Sequence, residues 1–415
     1  MMKNKELSIV LLLAWRSVWK NKRRTILTLL TVVIGSAMII FLNAFATGGH
    51  EQMIEDAVST NTGHIQIHEK GFWDNRGTDY AFQADDGLLK LLEGDNRIKS
   101  FSRRIHAAGL LSCRDTTVGA MVQAVDPARE NEVTDLHRHI IDGRFLDEND
   151  TTSVVLGAVL ARNLGVKPGG KIALISQGFD GSIAAEKLTV VGLFNSGNPE
   201  YDQSLMIMPF AQAQQTFTMM GYINAITIHL KSPAYTDAVR DHIRRHVDTG
   251  ALEVMGWDEL MPELVQFIVM DDIGAYIFDF ILFMVVAFGI LNTIQMSVFE
   301  RIREFGVMLA IGTRPGQVTA IVLFESLFIS IIGVVLGMAL GSGISYYFTL
   351  NPLDYSQFAD EIAVWGIATT LFPAKLTWLN ITVTSFLTLG LAVLFTVFPA
   401  RRAAKLNPIE AIRHL

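Results

Sequence analysis

Four stretches of this chain, residues 25–46, 273–298, 318–348 and 381–398, are apolar and long, and they constrain the fold more than any other feature. A helix rising about 1.5 Å per residue needs about 20 residues to cross a hydrocarbon core about 30 Å thick, so each stretch is able to span a bilayer. The composition agrees: 50 % of the residues are hydrophobic, 18 % are charged and the mean hydropathy is +0.34, which excludes a disordered or fibrous chain. The charges are unevenly placed. Residues 48–272 carry 19 Lys and Arg against 32 Asp and Glu, a net −13, while the remainder nets +6. An acidic, water-soluble block therefore sits inside a basic, apolar frame, which argues against a nucleic-acid binder and for a transmembrane protein with a large extramembrane domain.

Basic residues set the orientation. Lys20, Lys22, Arg23 and Arg24, supported by Lys3, Lys5 and Arg16, place the amino terminus in the cytoplasm, and four crossings return the carboxyl terminus there. Arg301, Arg303 and Arg314 between spans two and three, and Arg401, Arg402, Lys405 and Arg413 after span four, fit the same topology. The loop at 349–380 has one cation, Lys375, against Asp354, Asp360 and Glu361, as an outer loop should. The expected order is a cytoplasmic interfacial helix (1–24), span one (25–46), a periplasmic α/β domain with stalks (47–272) and span two (273–298). A cytoplasmic coupling loop (299–317), span three (318–348), a periplasmic loop (349–380), span four (381–398) and a cytoplasmic tail (399–415) follow. A cleavable signal peptide ending at Ala44-Phe45-Ala46 is the rival reading of span one, but the basic region and apolar run are both too long for one. Leu12, Trp15 and Trp19, beside Arg16 and Lys20, have the spacing of a helix lying in the inner interface; the alternative is a plain extension of span one.

The outer domain reads as mixed α and β, and its length allows two subdomains. Strand patterns occupy 64–68, 117–125, 171–176, 187–194 and 223–230; helical patterns occupy 157–164, 211–219, 235–247 and 257–269. Residues 51–59 and 257–270 are placed to prolong spans one and two as stalks. Cys113 is the single cysteine, so no disulfide forms within the chain and the core alone holds the fold.

Chemical motifs are few. Gly165-Val-Lys-Pro-Gly-Gly170-Lys171 nearly spells a phosphate-binding loop, but Ile172 replaces the magnesium-holding hydroxyl and a strand pattern follows, so a Pro-Gly-Gly turn explains it better. His64 and His68, and likewise His137 and His139, share a face on a strand, yet no ligand set completes a metal site. Neither a nucleophile elbow nor a zinc-protease helix occurs. Within the spans, Asp279 and Glu325 are costly if lipid-exposed; Asp279 is read as sitting in water on the stalk and Glu325 as making a bundle contact or snorkelling. Gly333, Gly337 and Gly341 make two small-xxx-small steps that let another helix approach. In the inner loop, Ile302, Phe305 and Leu309 recur at helical spacing, with Glu300 and Arg303, and Arg301 and Glu304, each one turn apart. Gly312 and Pro315 end that helix, which can dock in a cytoplasmic partner or remain a solvated surface helix.

Two of these segments carry a resemblance. Glu300-Arg-x-Arg-Glu304-Phe-Gly306 through Ala310-Ile-Gly312, and Pro399-Ala-Arg-Arg402-Ala-Ala-Lys-Leu-Asn-Pro408-Ile-Glu-Ala-Ile, resemble the coupling loop and carboxyl-terminal signature of permeases of the MacB/LolC/FtsX-type ABC transporter superfamily. In the outer domain, Gly63-His-Ile-Gln-Ile-His68 with Gly71, Val155-Leu-Gly157 before Ala-Arg-Asn-Leu-Gly165, and Val191-Gly192-Leu-Phe-Asn-Ser-Gly197 are similar to lipoprotein-releasing permeases, whereas the coupling loop is closer to the macrolide-exporter type. The resemblance implies a multi-pass protein of the bacterial inner membrane that binds no cofactor itself. A separate ATPase subunit dimer, carrying ATP and Mg, would grip Glu300, Arg301, Arg303, Glu304, Phe305, Gly306 and Gly312. A second permease copy or paralogue is implied, with a periplasmic chaperone or adaptor as a further partner. Spans one and two then act as levers that extract a lipid or lipoprotein from the outer leaflet, with Ile40, Phe72, Trp73, Asp279 and Phe283 as candidate contacts to substrate or partner. The alternatives are a macrolide or peptide exporter, a regulator of cell-wall hydrolases that moves no substrate, and a sensor paired with a signalling kinase.

Overall fold

The computed structural model describes residues 2–358, 370–407 and 411, with side chains from Leu7 onward. The side chains of Lys3 and Lys5 lie outside what is described, as do residues Asp360, Glu361, Pro408 and Arg413 altogether. The chain divides into two units: residues 1–50, 268–353 and 371–415 form one, and residues 51–267 with 354–370 form the other.

Helix α1 (Met2–Lys20) is separate from α2 (Lys22–Ala57), with a bend at Asn21. Thr25 ties the two together by donating its hydroxyl to the Val18 carbonyl at 2.5 Å. The N-terminal segment is thus a helix of its own and not an extension of span one. It buries Val10, Ala14 and Val18, and leaves Ile9, Leu12 and Trp19 exposed. At about 1.5 Å per residue the 36 residues of α2 reach about 54 Å, far more than a bilayer core requires. It closes in a π-helical turn, Val58–Thr62.

The second unit is built on one ten-stranded sheet: β1 (Ile65–Glu69), β2 (Ile98–Cys113), β3 (Thr116–Val125), β4 (Ile140–Gly143), β5 (Ser153–Gly157), β6 (Lys171–Gln177), β7 (Ile183–Phe194), β8 (Leu205–Pro209), β9 (Ala225–Leu230) and β10 (Leu252–Gly256). Its order is β10-β1-β9-β2-β3-β8-β5-β7-β4, and β6 pairs with both β2 and β7. The 16-residue β2 does two jobs. Its first half, from Ile98 to Arg104, pairs with β9 and belongs to an antiparallel lobe covered by α3 (Phe72–Asn75), α4 (Asp86–Gly94) and α9 (Thr236–Arg244). Its second half pairs with β3 and β6, closing the ring β2-β3-β8-β5-β7-β6. Each lobe has its own core, one around Ile65, Ile67, Leu92, Ile228 and Ile243, the other around Leu111, Val122, Leu156, Leu174 and Phe217. The short helices α5 (Pro127–Val133), α6 (Ala158–Leu164), α7 (Pro199–Ser204) and α8 (Phe210–Thr216) connect the strands.

The near-phosphate loop is the expected turn: Gly165 ends α6 in the left-handed region, Gly169 has φ +88°, and β6 starts at Lys171. His137 and His139 lie on a 3₁₀ turn, Leu136–His139, rather than on a strand. The helical pattern at 257–269 is broken. A short α10 (Trp257–Leu260) stops at Met261, and α11 (Pro262–Glu300) begins at Pro262, which has no N–H to donate and forces its predecessor out of the helical region.

Burial has a consequence for pH. His64 is pushed down to about 4, by desolvation first and then by His229 and Lys99, and His106 down to about 3, by desolvation first and then by Arg104, Arg76 and His68. Both stay neutral when folded, whereas the unfolded chain takes up a proton near 6.5. The unfolded state therefore binds more protons below that pH, so the stabilisation is complete above 6.5 and is lost as pH falls toward 4 for His64 and 3 for His106. Each pH unit in the window removes about 1.4 kcal/mol per histidine. The melting temperature of the full-length protein should fall between pH 7 and pH 4, and His64→Gln should flatten the profile; an unchanged melt at pH 4.5 would refute this.

In the first unit, α11 is followed by α12 (Ile302–Ala310), α13 (Pro315–Leu350) and α14 (Trp378–Ala404). Together with α2, the helices α11, α13 and α14 are long and apolar enough to cross a membrane. Helix α2 packs on α13 along the glycine stripe. A Cβ at Gly333 would meet Val32, one at Gly337 would lie 2.9 Å from the Val33 carbonyl, and one at Gly341 would lie 2.8 Å from the Ala37 carbonyl.

Candidate functional site

Glu325 collects the site. It lies on α13 and is only 1 % exposed, a carboxylate that cannot stay charged in such a place without partners. Arg24 Nη2 of α2 donates to Oε1 at 2.8 Å, and Arg301 Nη1, in the joint between α11 and α12, donates to Oε2 at 2.8 Å. Ser297 of α11 adds a longer bond at 3.4 Å. The two guanidinium groups extend the network outward. Arg24 also reaches Glu300, which accepts from Asn21 at 3.0 Å, while Arg301 donates through Nε to Glu304 at 2.9 Å and through Nη1 to Ser17 of α1. Lys20 closes the circuit on Glu304. Three cations (Lys20, Arg24, Arg301) thus meet three carboxylates (Glu300, Glu304, Glu325) and join α1, α2, α11, α12 and α13 at one point. Burial raises the Glu304 carboxyl, but the hydrogen bonds from Lys20 and Arg301 outweigh it, so the group ends below the usual carboxylate range.

Helix α12 is held on one side and free on the other. Phe305 and Gly306 are buried, Arg301 lies over the Phe305 ring at 4.9 Å, and a Cβ at Gly306 would press on Ala411. Arg303, Val307, Ala310, Ile311 and Gly312 are exposed, Ile311 at 78 %. The pairing of Arg301 with Glu304 is present, but Glu300 turns to Arg24 and Asn21 rather than to Arg303, because Arg301 breaks the helix between α11 and α12. Arg24, Asn21, Ser17 and Ser297 were not readable as partners. The usable signal was the lone carboxylate in span three, which required cations from another element.

The remaining candidates are dispersed. Asp279 is half-buried and accepts from Asn43 of α2 at 2.8 Å, so it bridges two helices rather than sitting free in water. Ile40 is fully buried beneath Gly341 and faces no lipid; a helix packed this closely leaves no room for a ligand there. Phe72 is core, against His68 and His106. Trp73 stacks on His68, lies under the Arg76 guanidinium at 4.2 Å and lines a cavity of about 260 Å³ with Tyr201, Met261 and Phe267. Phe283 is partly exposed. Among the described residues no group of three His, Cys, Asp or Glu side chains is arranged to hold a metal ion.

One long apolar helix before a mixed α/β domain, three after it, and an anchored helix between the second and third define a multi-pass permease-type membrane subunit. The chain matches the MacB-like periplasmic core domain over residues 25–246 and the FtsX-like permease C-terminal domain over residues 276–408, and it belongs to the MacB/LolC/FtsX superfamily of ABC transporter permeases, proteins of the bacterial inner membrane. It is 25 % identical over 423 residues to the macrolide export ATP-binding/permease protein MacB of Neisseria meningitidis serogroup A, covering 96 % of this chain and 59 % of that one. The chain thus spans about three fifths of the length of the MacB relatives it matches. It is 22 % identical to the lipoprotein-releasing system transmembrane protein LolC of Neisseria meningitidis serogroup B, covering 94 % of each chain. With YknZ, an ABC transporter permease of Bacillus subtilis, it shares 25 % identity over 97 % of this chain and 98 % of the relative.

Proposed function

We propose that this chain is the non-catalytic, force-transmitting subunit of an ABC transporter, with both termini in the cytoplasm and the α/β domain in the periplasm. The observation that carries this reading is the two-sidedness of α12. Its inner side is locked to α1, α2 and α13 through Arg301, Phe305 and Glu304, while Arg303, Val307, Ala310 and Ile311 offer a mixed basic and apolar face to a partner. An ATPase subunit dimer, which brings the ATP and Mg, docks on that face, and its closure moves α12 together with the helices tied to it. A second permease copy or paralogue completes the complex.

The substrate is an amphiphile drawn from the outer leaflet, a lipoprotein in the first instance. The full-length match to LolC supports it, and so does energetics: each acyl methylene leaving the bilayer costs about 0.8 kcal/mol, so extraction calls for an ATP-driven lever. Export of a macrolide or peptide is the second reading, favoured by the MacB match. A periplasmic chaperone or adaptor receives the cargo in either case.

Glu304 is too deeply engaged with Lys20 and Arg301 to probe docking cleanly. Arg303→Glu and Ile311→Asp change the free face alone. Each should leave the purified permease with its normal melting temperature while reducing the ATP turnover of the assembled complex at least tenfold. Unaltered turnover, or ATP hydrolysis by the permease alone, would sink the reading. Depletion in cells separates the two substrates: mislocalised lipoproteins support release, whereas normal sorting with lost drug or peptide export supports the exporter.

A further inference from the structure

The end of α2 is held in an unusual way. Its last turn, Val58–Thr62, is π-helical, with the Gly63 N–H returning to the Val58 carbonyl at 3.0 Å. Such a widened turn is rare and is one of the places where a helix bends. Here the Asp135 N–H donates to the Ser59 carbonyl at 2.8 Å and Gln66 Nε2 to the Thr62 carbonyl at 2.7 Å. The third hold is Arg104 of β2, whose Nη1 donates to the Asn61 carbonyl and also reaches Asn61 Oδ1 at 3.3 Å.

Arg104 is 1 % exposed, and the other edge of its guanidinium pairs with Glu130 of α5, itself buried and accepting from Thr134 Oγ1 at 2.9 Å. Stability alone does not explain a buried ion pair, because apolar residues of similar volume often serve as well. An apolar pair, however, cannot grip a backbone carbonyl, whereas the rigid fork of a guanidinium can hold a carboxylate and a carbonyl at once. Arg104 also stands at a particular place in the sheet. It is opposite Ala225 of β9 and Val125 of β3, at the crossover where β2 passes from one lobe to the other.

We propose that Arg104 is a positioning residue that fastens the end of α2 to the outer sheet, so that displacement of α2 passes into both lobes through β2 instead of being absorbed by the π-helical turn. This rests on the force-transmitting function proposed above and adds the point where force enters the domain.

The test uses the full-length chain, with Cys113→Ser, reconstituted in lipid nanodiscs with the ATPase subunit that copurifies with it. Spin labels at Glu51 and Thr116 report whether α2 and the sheet move as one; labels at Thr116 and Tyr346 report whether ATP turnover moves the outer domain at all. In the wild type the first pair should give one narrow distance that ATP leaves unchanged, while the second pair shifts. The double variant Arg104→Met/Glu130→Leu removes both charges together, and its melting temperature should stay within about 4 °C of wild type. In it the first pair should lose its single narrow distance during turnover and the shift of the second should be lost. Arg104→Lys, which keeps the charge but not the fork, should give the same loss in weaker form and serves if the double variant does not fold. A first pair that stays narrow in both variants overturns the assignment. If the second pair is still in the wild type, the force-transmitting reading itself falls, and this inference with it.

Discussion

Replacing Glu325 with alanine is expected to be the most damaging single change in the helical unit, because it leaves the Arg24 and Arg301 guanidinium groups facing one another with no carboxylate between them. Removing one partner from a buried ion pair destabilises by about 3–5 kcal/mol, well above the cost of losing an exposed pair. Glu325→Gln keeps hydrogen-bonding atoms at the same place and should fall between alanine and wild type. Thermal melts of the purified protein should rank the three in that order. Because the same carboxylate ties α12 to α2 and α13, the glutamine variant should also uncouple ATP turnover from outer-domain movement. A Glu325→Ala protein that melts like the wild type would show that the network holds nothing.

Gly337→Leu is expected to cost nearly as much, by a different route. The added Cβ alone would come within 2.9 Å of the Val33 carbonyl and press on Ser36, so the α2 backbone must move to admit any side chain. Overpacking of this kind costs about 1–3 kcal/mol and more where backbone is the obstacle. Helix α13 supplies its own control, since a Cβ at Gly343 meets nothing within 4 Å. Gly343→Leu should therefore leave folding and melting temperature nearly unaltered, while Gly337→Leu should yield little folded protein. Equal behaviour of the two would mean that the approach of α2 and α13 does not depend on the stripe.

The outer domain was only half legible. β1, β3, β6, β7 and β9 follow recognisable alternating or β-rich runs, but β2, the longest strand, does not. Its Arg103, Arg104 and His106 interrupt any simple alternation, because the strand changes partners halfway and therefore changes the face it buries. β5 and β8 carry no such signal for the opposite reason: they are short and buried almost throughout, so they present no period of two.

The four apolar spans and the family are legible in the sequence because both depend on quantities local to a segment, namely apolar length and a fixed run such as Glu300 to Gly312, and need no knowledge of what lies across the fold. The pairings, by contrast, come from the packing of distant segments. Arg24 reads as one more cation in a basic run, Glu325 as a misplaced acid and Arg104 as a break in a strand, although Arg24 and Glu325 lie 301 residues apart and share a hydrogen bond. A charge in the sequence shows that a partner is required, because burying it alone is too costly, but which partner answers is set by the packing of helices and strands that the local pattern does not contain.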